Sequence, residues 1–167
     1  MDMNTLLLVG ATLAACYTDL RWKKIPNALV APFLILGAGF QLAHGPQALV
    51  AALAAGAAML LLGTLAFSTR MMGGGDVKFL VAAIVALGAA DGLRFLVFTL
   101  VCGGVLAIAV SLYRGSLRTM FANVRASAMT LSAPVSTGKM PYALAMLGAA
   151  VLLVAAQTIL PVLRFPL

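Results

Sequence analysis

The sequence contains very little charge, and most of that charge is positive. Charged residues make up 9% of the 167 residues and hydrophobic residues 63%, whereas about a quarter of a soluble globular domain is charged. There are four aspartates and no glutamate, against eleven lysines and arginines. This composition excludes an ordinary soluble domain and predicts a chain whose natural solvent is lipid.

The residues of several common catalytic and metal sites are also scarce. His44 is the only histidine, and it lies in a short polar turn before Pro46. Cys16 and Cys102 fall in or near apolar segments, without CxxC spacing or a cluster of histidines. The single histidine and the isolated cysteines argue against a Ser-His-Asp or Cys-His mechanism and against a zinc site. We therefore expect ordinary buried thiols, no metal and no organic cofactor.

Long apolar runs dominate the rest of the sequence. A membrane-spanning helix needs about 20 residues to cross the hydrocarbon. Hydropathy and the positions of turns predict six such helices, near residues 3–18, 27–43, 48–68, 77–90, 93–113 and 140–161. We therefore predict an all-α, polytopic membrane protein with a single membrane-embedded domain over residues 1–167. The fourth span is short for a membrane crossing, and abundant small residues favour close packing of the helices.

Positive charge is concentrated between alternate spans. Nine of the lysines and arginines follow the first, third and fifth spans, and only Arg94 and Arg164 fall on the other side. Because loops rich in Lys and Arg stay in the cytoplasm, this asymmetry predicts an outside N-terminus and cytoplasmic loops after those three spans. Membrane insertion accounts for the basic residues, so we expect the lipid bilayer as a partner and no nucleic acid.

The fifth connection, residues 114–138, has a helical pattern of its own. Apolar side chains recur at helical spacing and three arginines lie along one flank: Leu117, Met120, Phe121, Val124 and Ala128, with Arg114, Arg118 and Arg125. The pattern predicts an amphipathic helix on the cytoplasmic leaflet. Such a helix either anchors the loop or helps to hold a membrane-inserted substrate.

Two of the four aspartates stand out as functional candidates. Asp2 lies near the start of the chain, and Asp91 lies in the sequence 89–92, which we interpret as a turn. Asp19 ends the first span, whereas Asp76 follows three glycines and begins the fourth. These two spans run in opposite directions through the membrane, so both carboxylates are predicted at the cytoplasmic end of the bundle. Ionisable groups near membrane helices are expensive to keep there and are often functional.

A pair of neighbouring carboxyl groups can hydrolyse a peptide bond. Two carboxylates close together cannot both ionise, so one keeps a proton while the other acts as a base. The run Gly73, Gly74 and Gly75 lets the backbone approach a substrate chain closely. Two simpler interpretations stay open: Asp19 pairs with one of the basic residues that follow it, and Asp76 caps the fourth helix.

Two motifs resemble the type IV prepilin peptidase family of membrane aspartic proteases. The first is the segment 19–27, Asp-Leu-Arg-Trp-Lys-Lys-Ile-Pro-Asn, and the second is 73–78, Gly-Gly-Gly-Asp-Val-Lys, which contains a GxGD signature. The segment 138–145 is also similar to the basic, proline-containing entry to that family's last helix. The resemblance implies that Asp19 and Asp76 are the catalytic aspartates.

The resemblance also implies a substrate and a location. Members of this family remove short basic leader peptides from prepilins or pseudopilins, whose N-terminal helix is hydrophobic, at the cytoplasmic face of the bacterial inner membrane. Many members carry an extra cytoplasmic segment with paired CxxC motifs and also methylate the new N-terminus. This chain lacks that segment, so it is similar to the compact enzymes of tight-adherence (Flp) pilus systems. We expect no N-methylation.

Seven other residues are candidates for binding substrate or supporting the pair: Gly73, Gly74, Gly75, Lys24, Lys78, Lys139 and Tyr142. Lys24 and Lys78 stabilise the ionised carboxylate, contact the substrate backbone, or only anchor the loops. Lys139 and Tyr142 line a substrate groove or serve as interfacial anchors. Pro26 and Asn27 are expected to be structural, at the start of the second helix.

Two other functions are compatible with the sequence. A GxGD protease of the signal-peptide-peptidase kind cleaves deeper in the bilayer and would carry its aspartates in mid-helix, whereas Asp19 and Asp76 lie beside charged loops. A small transporter or assembly factor would use the aspartates for protons or packing. Transporters usually show paired halves, and no internal repeat is visible here.

Overall fold

The computed structural model describes residues 3–68, 72–115, 118, 122 and 142–159. Every regular element within these residues is a helix, which confirms the all-α prediction. Six helices are defined: α1 (Met3–Trp22), α2 (Asn27–Ala43), α3 (Pro46–Ser68), α4 (Gly74–Leu87), α5 (Ala89–Tyr113) and α6 (Tyr142–Ile159). By length and composition α1, α3 and α5 can each cross a membrane, and α2 and α6 are shorter apolar helices.

The short helix α4 lies at the centre of the bundle. Helices α2 and α3 pack along it, α5 and α1 also contact it, and α6 packs against α5 and α1. Its side chains are buried at Val77, Phe79 and Leu80 and throughout residues 82–87. The Phe79 ring stacks on Phe33 of α2, with 5.5 Å between ring centroids. Because α4 is enclosed by other helices, its length of 14 residues need not match the thickness of a bilayer.

Glycines allow the neighbouring helices to approach α4 closely. A Cβ on Gly37 of α2 would lie 2.4 Å from the Cβ of Ala86, and one on Gly63 of α3 would lie 2.4 Å from a methyl group of Val77. Real Cβ atoms do not come this close to other atoms. Small residues at helix contacts are typical of membrane bundles, where no hydrophobic effect drives helices together.

The outer surface of the bundle carries large apolar side chains. Ile35 and Leu61 are each 70% exposed, while the core contains many alanines, including Ala82, Ala83 and Ala149. A soluble protein would bury the larger side chains and expose polar ones. The arrangement fits a bundle surrounded by lipid.

The boundary between the fourth and fifth helices differs from the sequence prediction. The chain turns at Gly88, whose φ is +83°, so the predicted turn at 89–92 is wrong. Asp91 lies in the first turn of α5, and its Oδ1 accepts a hydrogen bond from Arg94 Nη1 at 2.7 Å. Gly92 is not a turn residue: a Cβ there would lie 2.9 Å from the Cα of Ile84. It is a glycine because α4 and α5 touch at that point.

The predicted amphipathic helix of the fifth connection lies almost entirely outside the described residues. Of that segment, only residues 114, 115, 118 and 122 are described. The helix at 114–138 therefore stays a prediction, as do the single domain over 1–167 and the orientation of the chain.

Candidate functional site

Asp19 lies in the last turn of α1. The helix continues to Trp22, four residues beyond the predicted end of the first span. The next residue, Lys23, has a φ of +52° and is no longer helical. The Lys23 backbone N–H donates to the Asp19 carbonyl at 2.8 Å. The Asp19 side chain is half-buried. Its carboxylate therefore lies at the end of the bundle where α1 finishes.

Asp76 is the third residue of α4. Gly73 is the N-cap of the helix, with φ −74° and ψ 143°, and its carbonyl accepts the first helical hydrogen bond from the Val77 N–H at 3.1 Å. The Gly73 N–H lies near enough to the Asp76 carboxylate to lower its pKa. This is the geometry in which an acidic residue reaches back to the N-cap amide. Asp76 thus lies in the first turn of α4, with its carboxylate close to the N-cap residue Gly73.

The structure brings the two aspartates to the same end of the bundle. Because α1 ends and α4 begins there, both side chains are half-buried near each other. Burial and, to a smaller extent, the negative charge of Asp19 raise the pKa of Asp76 from 3.8 to about 6, while the Gly73 N–H acts against both. A carboxyl group with this pKa retains its proton under conditions where an ordinary aspartate has lost it. Asp76 can therefore carry a proton at pH values up to about 6.

The first turn of α6 forms a third side of the site. The Ala143 N–H donates to Asp19 Oδ2 at 3.4 Å, and Tyr142 lies within electrostatic range of Asp76. The Tyr142 ring is half-buried and packs over α5, where its hydroxyl oxygen would lie 3.5 Å from a Cβ on Gly103. The sequence analysis singled out Tyr142 but missed the Ala143 amide. The only available signal was Pro141, which often precedes a helix start.

The glycine run allows Asp76 to fit against its surroundings. A Cβ on Gly73 would lie 2.7 Å from Asp76 Oδ2. A Cβ on Gly74 would lie 3.3 Å from the Phe67 ring at the end of α3, and one on Gly75 would lie 3.4 Å from Ile25. Ile25 is buried and belongs to the connection between α1 and α2. The glycines therefore allow two other parts of the chain, the end of α3 and the connection between α1 and α2, to lie close to the turn that carries Asp76.

Of the predicted lysines, the two that the structure describes, Lys24 and Lys78, form no hydrogen bond or ion pair with Asp19 or Asp76. Lys78 is exposed, and its Nζ donates to Asn27 Oδ1 of α2 at 3.2 Å. Lys24 is exposed in the connection between α1 and α2, and Lys139 lies outside the described residues. Within the described part of the chain, no ion pair joins Asp19 or Asp76 to a lysine or arginine. The described residues thus give no support to the alternative in which Asp19 pairs with one of the basic residues that follow it.

Metal-binding groups are not clustered at this site. In the portion of the chain that the structure describes, no three side chains of His, Cys, Asp or Glu come together as a metal site would require. Cys16 is a buried free thiol one turn before Asp19, within electrostatic range of it. The chemical groups available at this site are two carboxyl groups, backbone amides and a tyrosine hydroxyl.

Comparison with known proteins gives one match. The model of the Type IV leader peptidase family matches residues 6–108, more than half of the chain, and this range includes both aspartates and the glycine run. No curated protein and no solved structure matches the chain. With its apolar helices and this match, the chain is a membrane protein that belongs to the Type IV leader peptidase family.

Proposed function

We propose that Asp19 and Asp76 are the catalytic pair of an aspartic endopeptidase that removes the basic leader peptide from prepilins of the Flp (Tad) type. The observation that carries this proposal is the placement of both aspartates at one end of the bundle, close enough that burial and Asp19 together raise the pKa of Asp76 to about 6. The family match supports peptidase activity on type IV leader peptides in general.

The pair can hydrolyse a peptide bond in two steps. The ionised carboxylate takes a proton from a water molecule as the water oxygen bonds to the scissile carbonyl carbon, and the neutral carboxyl gives its proton to the carbonyl oxygen. In the second step the carbon–nitrogen bond breaks. The leaving nitrogen receives the proton taken from water, and one hydroxyl of the intermediate returns its proton to the other carboxylate. The pair ends with one proton, as it began.

The position of the aspartates favours cleavage near the membrane surface. Asp19 lies in the last turn of α1 and Asp76 in the first turn of α4, not in the middle of either helix. A protease that cuts deep in the bilayer would be expected to carry them in mid-helix. We infer that this end of the bundle faces the cytoplasm of the bacterial inner membrane, because the flanking segments are basic.

The substrate is expected to lie in extended form beside the glycine run. Gly73 is exposed and adopts an extended backbone, so a substrate strand can approach it without meeting a side chain. In this proposal Tyr142 lines the groove, and Lys24, Lys78 and Lys139 contact the substrate backbone or anchor their loops. Only two cysteines are present, too few for the paired CxxC motifs, so we propose peptidase activity without N-methylation.

A cleavage assay with a leader-bearing Flp prepilin tests the proposal. Asp19→Asn and Asp76→Asn should each lower the cleavage rate by about a thousandfold or more, since neither amide can act as an acid or a base. Asp91→Asn is the matched control because Asp91 follows α4 at the other end of the bundle, about 20 Å away along that helix, and it should cleave at nearly the wild-type rate.

Two outcomes would contradict the proposal. Cleavage near the wild-type rate by either pair variant would show that the aspartates are not the catalytic groups. Mass spectrometry of the products locates the cut: a cut inside the hydrophobic helix of the prepilin, not before it, would argue for a protease that acts deep in the bilayer.

A further inference from the structure

Asp19 occupies an unfavourable place for a negative charge on its own helix. It lies in the last turn of α1, where the free carbonyl groups give the helix end a partial negative charge. Among the described residues no lysine or arginine forms an ion pair with it. An ionised Asp19 therefore needs stabilisation from another part of the chain.

The start of α6 supplies that stabilisation. The first N–H groups of a helix have no partner within the helix and carry a partial positive charge. Ala143 is the second residue of α6, and its N–H donates to Asp19 Oδ2 at 3.4 Å. This distance is longer than the usual range of about 2.7–3.2 Å, as hydrogen bonds in sites without substrate often are.

Helix α6 is held firmly against α1 along its length. Ala149, Ala150 and Leu153 are buried in the core, and at the far end Thr5 Oγ1 of α1 donates to Gln157 Oε1 of α6 at 3.1 Å. The two helices are thus joined by one hydrogen bond near each end. The Ala143 amide cannot drift from Asp19 without disturbing this packing.

We propose that the Ala143 backbone amide is a positioning group of the active site, which orients the Asp19 carboxylate and favours its ionised form. This inference rests on the proposed function of the aspartate pair. It assigns to Asp19 the negative charge of the pair, and so the task of taking the proton from water. Asp76, whose carboxyl is buried and lies beside Tyr142, then carries the shared proton.

The sharpest test removes this N–H and leaves every side chain in place. Lactic acid incorporated at position 143 replaces the Ala143 amide with an ester, which has no N–H. The matched control is the corresponding ester at Leu144, the next residue of the first turn, whose side chain is 41% exposed and whose N–H is equally without a partner in the helix.

The readout is the pH dependence of kcat in the full-length protein. The ester at 143 should move the acid limb of the profile to higher pH by about one unit, the effect of losing one hydrogen bond to a charged group, with KM within about twofold of wild type. The ester at 144 should leave the acid limb in place. The other titratable and charged groups on the described elements at this end are common to both proteins: Cys16, Tyr17, Arg21, Lys23, Lys24, Asp76, Lys78, Tyr113, Arg114 and Tyr142.

A second measurement does not depend on activity. In protein with labelled aspartates, the infrared carboxylate band that disappears in Asp19→Asn should convert to the acid form at a higher pH in the ester at 143 than in the ester at 144. Equal behaviour of the two esters in both measurements would overturn the positioning role. Absence of prepilin cleavage by the wild type would instead contradict the proposed function, and the infrared titration would still report on Ala143.

Discussion

Replacing Gly73 with alanine should displace the Asp76 carboxylate while leaving the stability of the helix bundle nearly unchanged. A Cβ at this position would lie 2.7 Å from Asp76 Oδ2, whereas ordinary van der Waals contact begins near 3.4 Å. The carboxylate must therefore move by about 0.7 Å, which it can do by rotating, because it is the end of a flexible side chain. The backbone of Gly73, with φ −74° and ψ 143°, is one that alanine adopts without strain.

The expected result is a loss of rate with little change in stability. Alanine is a poorer N-cap than glycine but also restricts the unfolded chain, so the net change in unfolding free energy should stay within about 1 kcal/mol. A misplacement of about 1 Å at a reacting group can lower a rate a hundredfold. We expect Gly73→Ala to lower kcat by about 10- to 100-fold, with KM nearly unchanged.

The assay is cleavage of a leader-bearing prepilin, together with the melting temperature of the purified protein. Gly75→Ala is the matched control, because the three atoms nearest to its added Cβ all belong to Ile25, at 3.4 Å or more. It should keep most of the wild-type kcat. A wild-type rate for Gly73→Ala would refute the constraint on Asp76, and an equal loss in both variants would assign the effect to stiffening of the glycine run.

Two further predictions concern pH and packing. Because burial and Asp19 raise the pKa of Asp76 to about 6, its proton is lost as pH rises through this value, and kcat/KM, which reports the free enzyme, should fall about tenfold per unit above it. In Asp19→Asn, carbon-13 spectra of labelled aspartates should show Asp76 titrating at lower pH, and an unchanged titration would contradict the coupling. Gly37→Ala places a Cβ 2.5 Å from the backbone Cα of Ala86, so denaturant titrations should show a loss of about 1–3 kcal/mol in the free energy of unfolding. The control is Gly39→Ala, which has nothing within 4 Å of the new Cβ and should leave this free energy unchanged.

Much of the helical architecture follows from apolar length and from glycine and proline. The second helix runs over Asn27–Ala43, as predicted, because Pro26 and the pair Gly45-Pro46 mark its ends. The boundary between α4 and α5 could not be located in this way, since Gly88 and Gly92 are both plausible turn residues. Only the packing of α5 on Ile84 shows which of them is the turn.

Those parts of the candidate site that consist of distinctive side chains could be predicted from the sequence, whereas the part that consists of a backbone amide could not. Asp19 and Asp76 are recognisable because carboxylates are rare in this chain, and the opposite directions of their helices place them at one end. The hydrogen bond from Ala143 has no sequence signature, because every residue except proline has an N–H. The sequence also left the role of Lys78 open between the pair, the substrate and its own loop, and it gave no sign of the bond from its Nζ to Asn27.

The contact between Ala143 and Asp19 joins the first and last helices that the structure describes. A nascent chain from which α6 has not yet emerged lacks this amide, and it also lacks Tyr142 beside Asp76. The surroundings of the two aspartates are therefore complete only when α6 packs on α1 and α5. We therefore expect a chain truncated before α6 to lack the hydrogen bond to Asp19 even where α1 to α5 have formed.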